Sequence, residues 1–226
     1  MLVQPALTLV DALAEEASRV GASAPNNALR SQAALVRALV DEVGRHHPSE
    51  ARVADLHEQL GEELSRLADL APGGPSAGDR ASACRAVDVL VVDDDDGMLK
   101  AEASIVRDLG YPCRAAAGAE EALQEYKGRP AAIVLSDCDM PGLSGLDLCA
   151  SLKHLDPHVY VILVTAHESA RLLDGVRGGV DDFLPKPIDV DELSVRLRAA
   201  DRLIRAVRVV DSVKRRLRMR SVRPDA

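Results

Sequence analysis

The sequence predicts an α/β protein: a parallel sheet carrying helices, preceded by a small all-helical domain. Two patterns point there. From Val87 onward, short runs of Val, Ile, Leu and Ala alternate with amphipathic helical stretches, as strands and crossover helices of a parallel sheet do. Before residue 72 only helical periodicity is present. The 226 residues allow one or two domains, and 47% of them are hydrophobic, enough for a core. Only 2% are aromatic, so the core is built from aliphatic side chains, which argues against a stacking platform for single-stranded nucleic acid.

In chain order, a first helix is expected from about Pro5 to Val20, with Leu9, Val10, Leu13, Ala17 and Val20 on one face. Gly21 and the Ala24-Pro25-Asn26-Asn27 turn end it. A second runs from about Ala28 to Val43, striped by Leu29, Ala33, Val36, Leu39, Val40 and Val43, with Gly44 as its stop. A third runs from about Glu50 to Leu70, with Ser49 as N-cap and Val53, Leu56, Leu60, Leu64 and Leu67 as its face. No such helix buries its stripe alone. Residues 1–71 are therefore expected to form a three-helix unit, or a hairpin that doubles by dimerisation, serving as a dimerisation or effector module. Residues 72–85 are rich in Gly, Pro, Ser and Ala and read as a flexible linker.

Strands follow near 87–92, 112–116, 131–136, 159–164 and 182–184. Helices are expected near 98–109, 119–127, 144–153 and 168–176, with a last one from about 190. That last helix outruns the sheet domain. Leu203, Val207, Val210, Val213 and Leu217 continue an apolar seam at spacings of three and four, flanked by Arg202, Arg205, Arg208, Arg215, Arg216, Arg218 and Arg220. Residues 204–226 are read as a basic helical extension that pairs two chains as a homodimer.

Four of the strands end in polar groups. Val89-Leu90-Val91-Val92 runs into Asp93-Asp94; Ile133-Val134-Leu135-Ser136 into Asp137; the run from Val159 to Val164 into Thr165; and Asp182-Phe183-Leu184-Pro185 into Lys186-Pro187. In a parallel sheet these C-terminal ends share one edge, so the groups converge. Three carboxylates, a hydroxyl and an ammonium in one crevice suit a divalent cation and a phosphoryl group.

These segments, in this order and spacing, make residues 86 to about 203 resemble the receiver domain of two-component response regulators. The resemblance implies a flavodoxin-like, doubly wound five-stranded sheet in the order 2-1-3-4-5. It also implies that Asp137 is the phosphoacceptor and that Asp93, Asp94, Asp137 and the backbone carbonyl of Asp139 hold Mg²⁺. Lys186, ahead of a cis Lys-Pro bond, would pair with the phosphoryl oxygens. Thr165 and Phe183 would be the switch pair that moves on phosphorylation. Asp139 and His167, two residues after Asp137 and Thr165, would face the incoming nucleophile. The chain is then expected to be a regulator, not an enzyme with a separate substrate. Its expected partners are a sensor histidine kinase or phosphotransfer protein and an effector that the sequence does not name.

Within residues 52–67, the stretch Asp55-Leu56-His57-Glu58-Gln59-Leu60-Gly61-Glu62-Glu63-Leu64 resembles the phosphoacceptor helix of a histidine-kinase subfamily. A phosphotransfer protein using His57 and Asp137 is one alternative reading. A transcriptional regulator using the basic C-terminal helix is another. Residues 86–190 hold 9 basic and 19 acidic side chains, and residues 191–226 hold 11 and 5. Nucleic acid is not expected as a partner, because the basic helix lacks a helix-turn-helix companion. The four Cys form no Cys-x-x-Cys pair, and neither a signal peptide nor an apolar run of 18 residues is present. Reduced thiols and a cytoplasmic, membrane-free location are the expectation.

Overall fold

The computed structural model describes residues 24–43, 51–70, 74–83, 85–166 and 179–221. The expected helices at 5–20 and 168–176, the Ser49 cap and His167 lie outside them. In order the elements are α1 (Ala24–Val43), α2 (Ala51–Leu70), α3 (Ala77–Ala83), β1 (Val89–Val92), α4 (Asp96–Asp108), β2 (Cys113–Ala116), α5 (Ala119–Gly128), β3 (Ile133–Asp137), α6 (Gly145–Leu155), β4 (Tyr160–Thr165), β5 (Asp182–Pro185) and α7 (Val190–Ser221). They fall into two compact units. One spans Ala86–Ala200; the other holds α1, α2 from Ala54, α3 and α7 from Asp201.

In the α/β unit all pairings are parallel and the order is β2-β1-β3-β4-β5, as the resemblance implies. β1, β3 and β4 are buried along their whole length, which is why they read as unbroken apolar runs rather than alternating ones. β2 lies at an edge, and three of its four residues keep some exposure. One core cluster joins Leu90, Val134, Val161 and Leu163 of the sheet to Ala122 and Tyr126 of α5 and Leu148 and Leu152 of α6. Phe183 completes it from β5. Two cations fasten the β5 side. Arg196, 2% exposed on α7, pairs with buried Asp182 and with Glu192. Lys153 on α6 donates to Asp181 and to the Val159 carbonyl (2.6 Å). Both cations are shielded from solvent, so removing either partner would leave a buried charge uncompensated.

The second unit differs from its expectation in three ways. α1 begins at Ala24, so the Pro25 segment read as a turn is the first helical turn, where proline lacks nothing the helix needs. Residues 72–85 are not simply a flexible linker: Ala77–Ala83 is helical. Ser76 and Asp79 cap it reciprocally: the Ser76 backbone N–H donates to the Asp79 carboxylate at 2.7 Å, and the Asp79 N–H to Ser76 Oγ at 3.2 Å. The buried Asp79 also accepts a hydrogen bond from Ser212 Oγ on α7, so α3 is tied to the C-terminal helix. Finally, the seam of α7 is covered within one chain. Leu203, Ile204, Val207, Val210 and Val213 are buried, as are Val36 and Val40 of α1 and Leu56, Leu60, Leu64 and Leu67 of α2.

Close approach of α2 and α7 centres on Gly61. A Cβ there would lie 3.2–3.3 Å from Arg202 and Leu203, so a small residue sets the distance between the two helices. Arg202 bridges Glu58 (3.0 Å) and Glu62 (2.8 Å) across the same contact. The expected homodimer through α7 therefore loses its premise: the apolar face that was to pair two chains packs inside one. The side chain of Leu217 lies outside the described residues. His57 is also inward, 1% exposed on α2. That burial does not favour the phosphotransfer reading of His57.

Candidate functional site

The C-terminal edge of the sheet brings the sequence-predicted acids together. Carboxylate oxygens of Asp93, Asp94 and Asp137 all lie within 4.8 Å of one another. Asp93 and Asp137 are buried and Asp94 is exposed. Each position follows from local folding. Asp93 and Asp94 leave β1, and the turn is closed by the Asp95 N–H donating to Asp93 Oδ1 at 2.8 Å. Asp95 then caps α4 by accepting from the N–H groups of Gly97 and Met98, bonds that hold its own carboxyl below the usual range. Hence the four-acid run divides: two acids serve the cluster, one caps a helix, and Asp96 pairs with Lys100 on the surface (2.8 Å).

Asp137 ends β3, and a loop over residues 138–144 leads into α6. This loop depends on Gly145, whose backbone N–H donates to the Cys138 carbonyl at 3.1 Å. A Cβ at Gly145 would sit 2.2 Å from the carbonyl oxygen of Asp137, closer than any side chain tolerates. Ser144 and Asp147 form the capping box that starts the helix beside it. Gly145→Ala is expected to force the β3–α6 loop away from Asp137, destabilising the α/β unit by about 1–3 kcal/mol or more. Denaturant unfolding of variant and parent checks this; equal midpoints would mean that the loop relaxes freely.

Lys186 enters from the end of β5, after which the Lys186–Pro187 peptide is cis. Its backbone N–H donates to the Thr165 carbonyl at 2.9 Å, which ties it to the end of β4. Its ammonium lies 2.9 Å from Asp137 and 3.3 Å from Asp93. Burial opposes the ammonium's charge, but these two carboxylates outweigh it and hold the lysine above its ordinary pKa. Thr165 is buried at the strand end, in register with Pro185. Phe183 is 1% exposed and packs in the core cluster, opposite Leu163. Asp139 is exposed just past Asp137.

Three carboxylates against one ammonium leave an excess of two negative charges in a small volume. That excess suits a divalent cation. One further acid was not foreseen. Glu102 on α4 is 2% exposed, and neither of its carboxylate oxygens has a hydrogen-bond partner. Burial pushes its carboxyl up to about 7; the negative charges of Asp93 and Asp137 add to the effect and Lys186 opposes it. The signal was present in the sequence: Glu102 falls three after Leu99 and four before Val106, on the inward stripe of α4.

Residues 89–198 match the model of the response regulator receiver domain family. The chain is 35% identical over 120 residues to the phosphoglycerate transport system transcriptional regulatory protein PgtA of Salmonella typhimurium, covering 53% of this chain and 29% of that one. It is 36% identical over 128 residues to the C4-dicarboxylate transport transcriptional regulatory protein DctD of Rhizobium meliloti, covering 56% and 28%. To the response regulator MprA of Mycobacterium ulcerans it is 35% identical over 127 residues, covering 55% and 53%. The matched region thus spans about half or less of these relatives. Among solved structures, the receiver domain of NtrX from Brucella abortus is 32% identical, covering 50% of this chain and 98% of that one, with a TM-score of 0.47.

Proposed function

We propose that this chain, whose residues 89–198 are a response regulator receiver domain, takes a phosphoryl group onto Asp137 and changes its partner binding in consequence. The observation that carries the reading is the Asp93–Asp94–Asp137 cluster with Lys186 2.9 Å from Asp137. A carboxylate approaches a phosphoryl group against like charge, so the reaction needs positive charge at the attacking and transferring oxygens. Asp93, Asp94, Asp137 and the Asp139 carbonyl would hold Mg²⁺, which when bound supplies that charge. Asp137 Oδ attacks phosphorus; the bond from a phosphohistidine nitrogen breaks, and an acyl phosphate forms. Lys186 then exchanges its ion pair with Asp137 for one with the phosphoryl oxygens. The Thr165 hydroxyl donates to the same oxygens, and the switch passes to Phe183 on the neighbouring strand.

The donor in this reading is a sensor histidine kinase or a phosphotransfer protein. The chain has no catalytic role beyond its own phosphorylation and dephosphorylation. The helical unit is the module that reports the change. The names of two relatives are those of transcriptional regulators, but nucleic acid binding is not favoured here. Among the described residues, four arginines of α7 have partners within the chain: Arg202 with Glu58 and Glu62, Arg205 with Asp201, Arg215 with Asp211, and Arg208 with the Arg85 carbonyl. No described helix is long and apolar enough to cross a membrane, and Cys138 and Cys149 are buried.

Beryllofluoride with Mg²⁺, a mimic of the acyl phosphate, tests the switch. Backbone NMR of the full chain should show the largest shifts at Asp137, Thr165, Phe183 and Lys186, with smaller ones along α7. Shifts confined to Asp93 and Asp94 would mean that the cation binds without a switch. The same activated chain, used as bait beside the unactivated one, would identify the effector.

A further inference from the structure

We propose that Glu102 is a fourth carboxylate of the cation site, acting on the bound cation by charge from the inner face of α4. It touches no reacting atom and is therefore a positioning residue. The inference rests on the reading of Asp93, Asp94 and Asp137 as that site. Three observations carry it. Glu102 is 2% exposed and both of its oxygens lack a hydrogen-bond partner, a condition that natural cores rarely leave without a reason. Its place on α4 is the inward stripe shared with Leu99, Ala103 and Val106, where packing alone calls for an aliphatic side chain. And the charges that reach it are those of the cluster itself: Asp93, Asp137 and Lys186.

Only one of those three charges is positive, and Lys186 is already engaged with Asp93 and Asp137. Within this unit, then, Glu102 gains a favourable partner when a further positive charge enters the cluster. A divalent, oxygen-seeking cation is the ligand class that supplies it. Low polarity around Glu102 lets its charge act over more than contact distance, which is what water between it and the cation would require. A carboxylate there raises the cluster's demand for a cation, at the expense of packing in the cation-free state.

Mg²⁺ itself is the probe, titrated into the full chain by calorimetry for the parent, Glu102→Gln and Glu102→Leu. Glutamine keeps the shape without the charge; leucine supplies the packing the stripe calls for. Both variants are expected to bind Mg²⁺ roughly tenfold more weakly, the low end of what losing an outer-sphere partner costs. In magnesium-free buffer, Glu102→Leu is expected to melt above the parent. Unchanged affinity in both variants overturns the proposal and leaves Glu102 a buried acid with no part in the site. Weakening by leucine but not by glutamine also overturns it, because shape and not charge would then be responsible. A parent chain that binds no Mg²⁺ overturns the reading of the three aspartates as well, and that outcome is distinct from the other two.

Discussion

Asp137→Asn is expected to reduce phosphorylation of the chain to background. Incubation with acetyl phosphate and Mg²⁺, followed by a phosphate-affinity gel, should give a retarded band for the parent and none for the variant. The amide has the carboxylate's shape but not its nucleophilic oxygen, and it forfeits the ion pair with Lys186 at 2.9 Å. The fold should not suffer. Asp137 ends a strand held by the β3–β4 ladder, and removing one of three carboxylates within 4.8 Å relieves repulsion. The variant should melt no lower than the parent in magnesium-free buffer, which separates loss of chemistry from loss of structure. A retarded band that survives Asp137→Asn, or that survives a chelator in the parent, would sink the assignment.

This site was legible in the sequence because a parallel sheet makes position along a strand a spatial coordinate. Val89–Val92, Ile133–Asp137 and Tyr160–Thr165 are each buried on both faces, so each announces itself as an apolar run with a sharp end. The groups at those ends meet because parallel strands end together. Glu102 was missed for the opposite reason. A helix shows its inward face only as a periodicity, and one acid in phase with Leu99, Ala103 and Val106 is still a residue type that belongs on a surface.

The helical unit was less legible. Residues 77–83 are poor in helix formers other than Ala, and their helix is set by the reciprocal Ser76–Asp79 cap and by the Ser212 bond to Asp79. Composition reports neither. The α7 seam was read correctly as apolar and periodic, but a seam states that something covers it without stating what. Here α1 and α2, far off in sequence, supply the complementary stripes. α7 is one helix from Val190 to Ser221, contributing Leu193 and Leu197 to the receiver unit and Val207, Val210 and Val213 to the helical unit.

Truncation after Leu203 is accordingly expected to unfold the helical unit while sparing the receiver. It removes Ile204, Val207, Val210 and Val213, all buried, together with Ala206. At about 1.5–3 kcal/mol for each large aliphatic side chain, the loss is on the order of 6–12 kcal/mol. A small domain has about 5–15 kcal/mol of stability in total, so nothing would remain to hold α1 against α2. It also removes Ser212, the partner that fastens Asp79 and α3. The receiver keeps Leu193, Leu197 and Ala200 and the Arg196–Asp182 pair, which lie ahead of the cut. Hydrogen exchange on the full and truncated chains separates the outcomes. Amides of α1 and α2 should lose protection in the truncated chain, while those of β1, β3 and β4 retain it. Helical amides that stay protected would show that α1 and α2 are stable without α7. A truncated chain with intact helices and half the mass of the full one by light scattering would return the seam to a dimer interface.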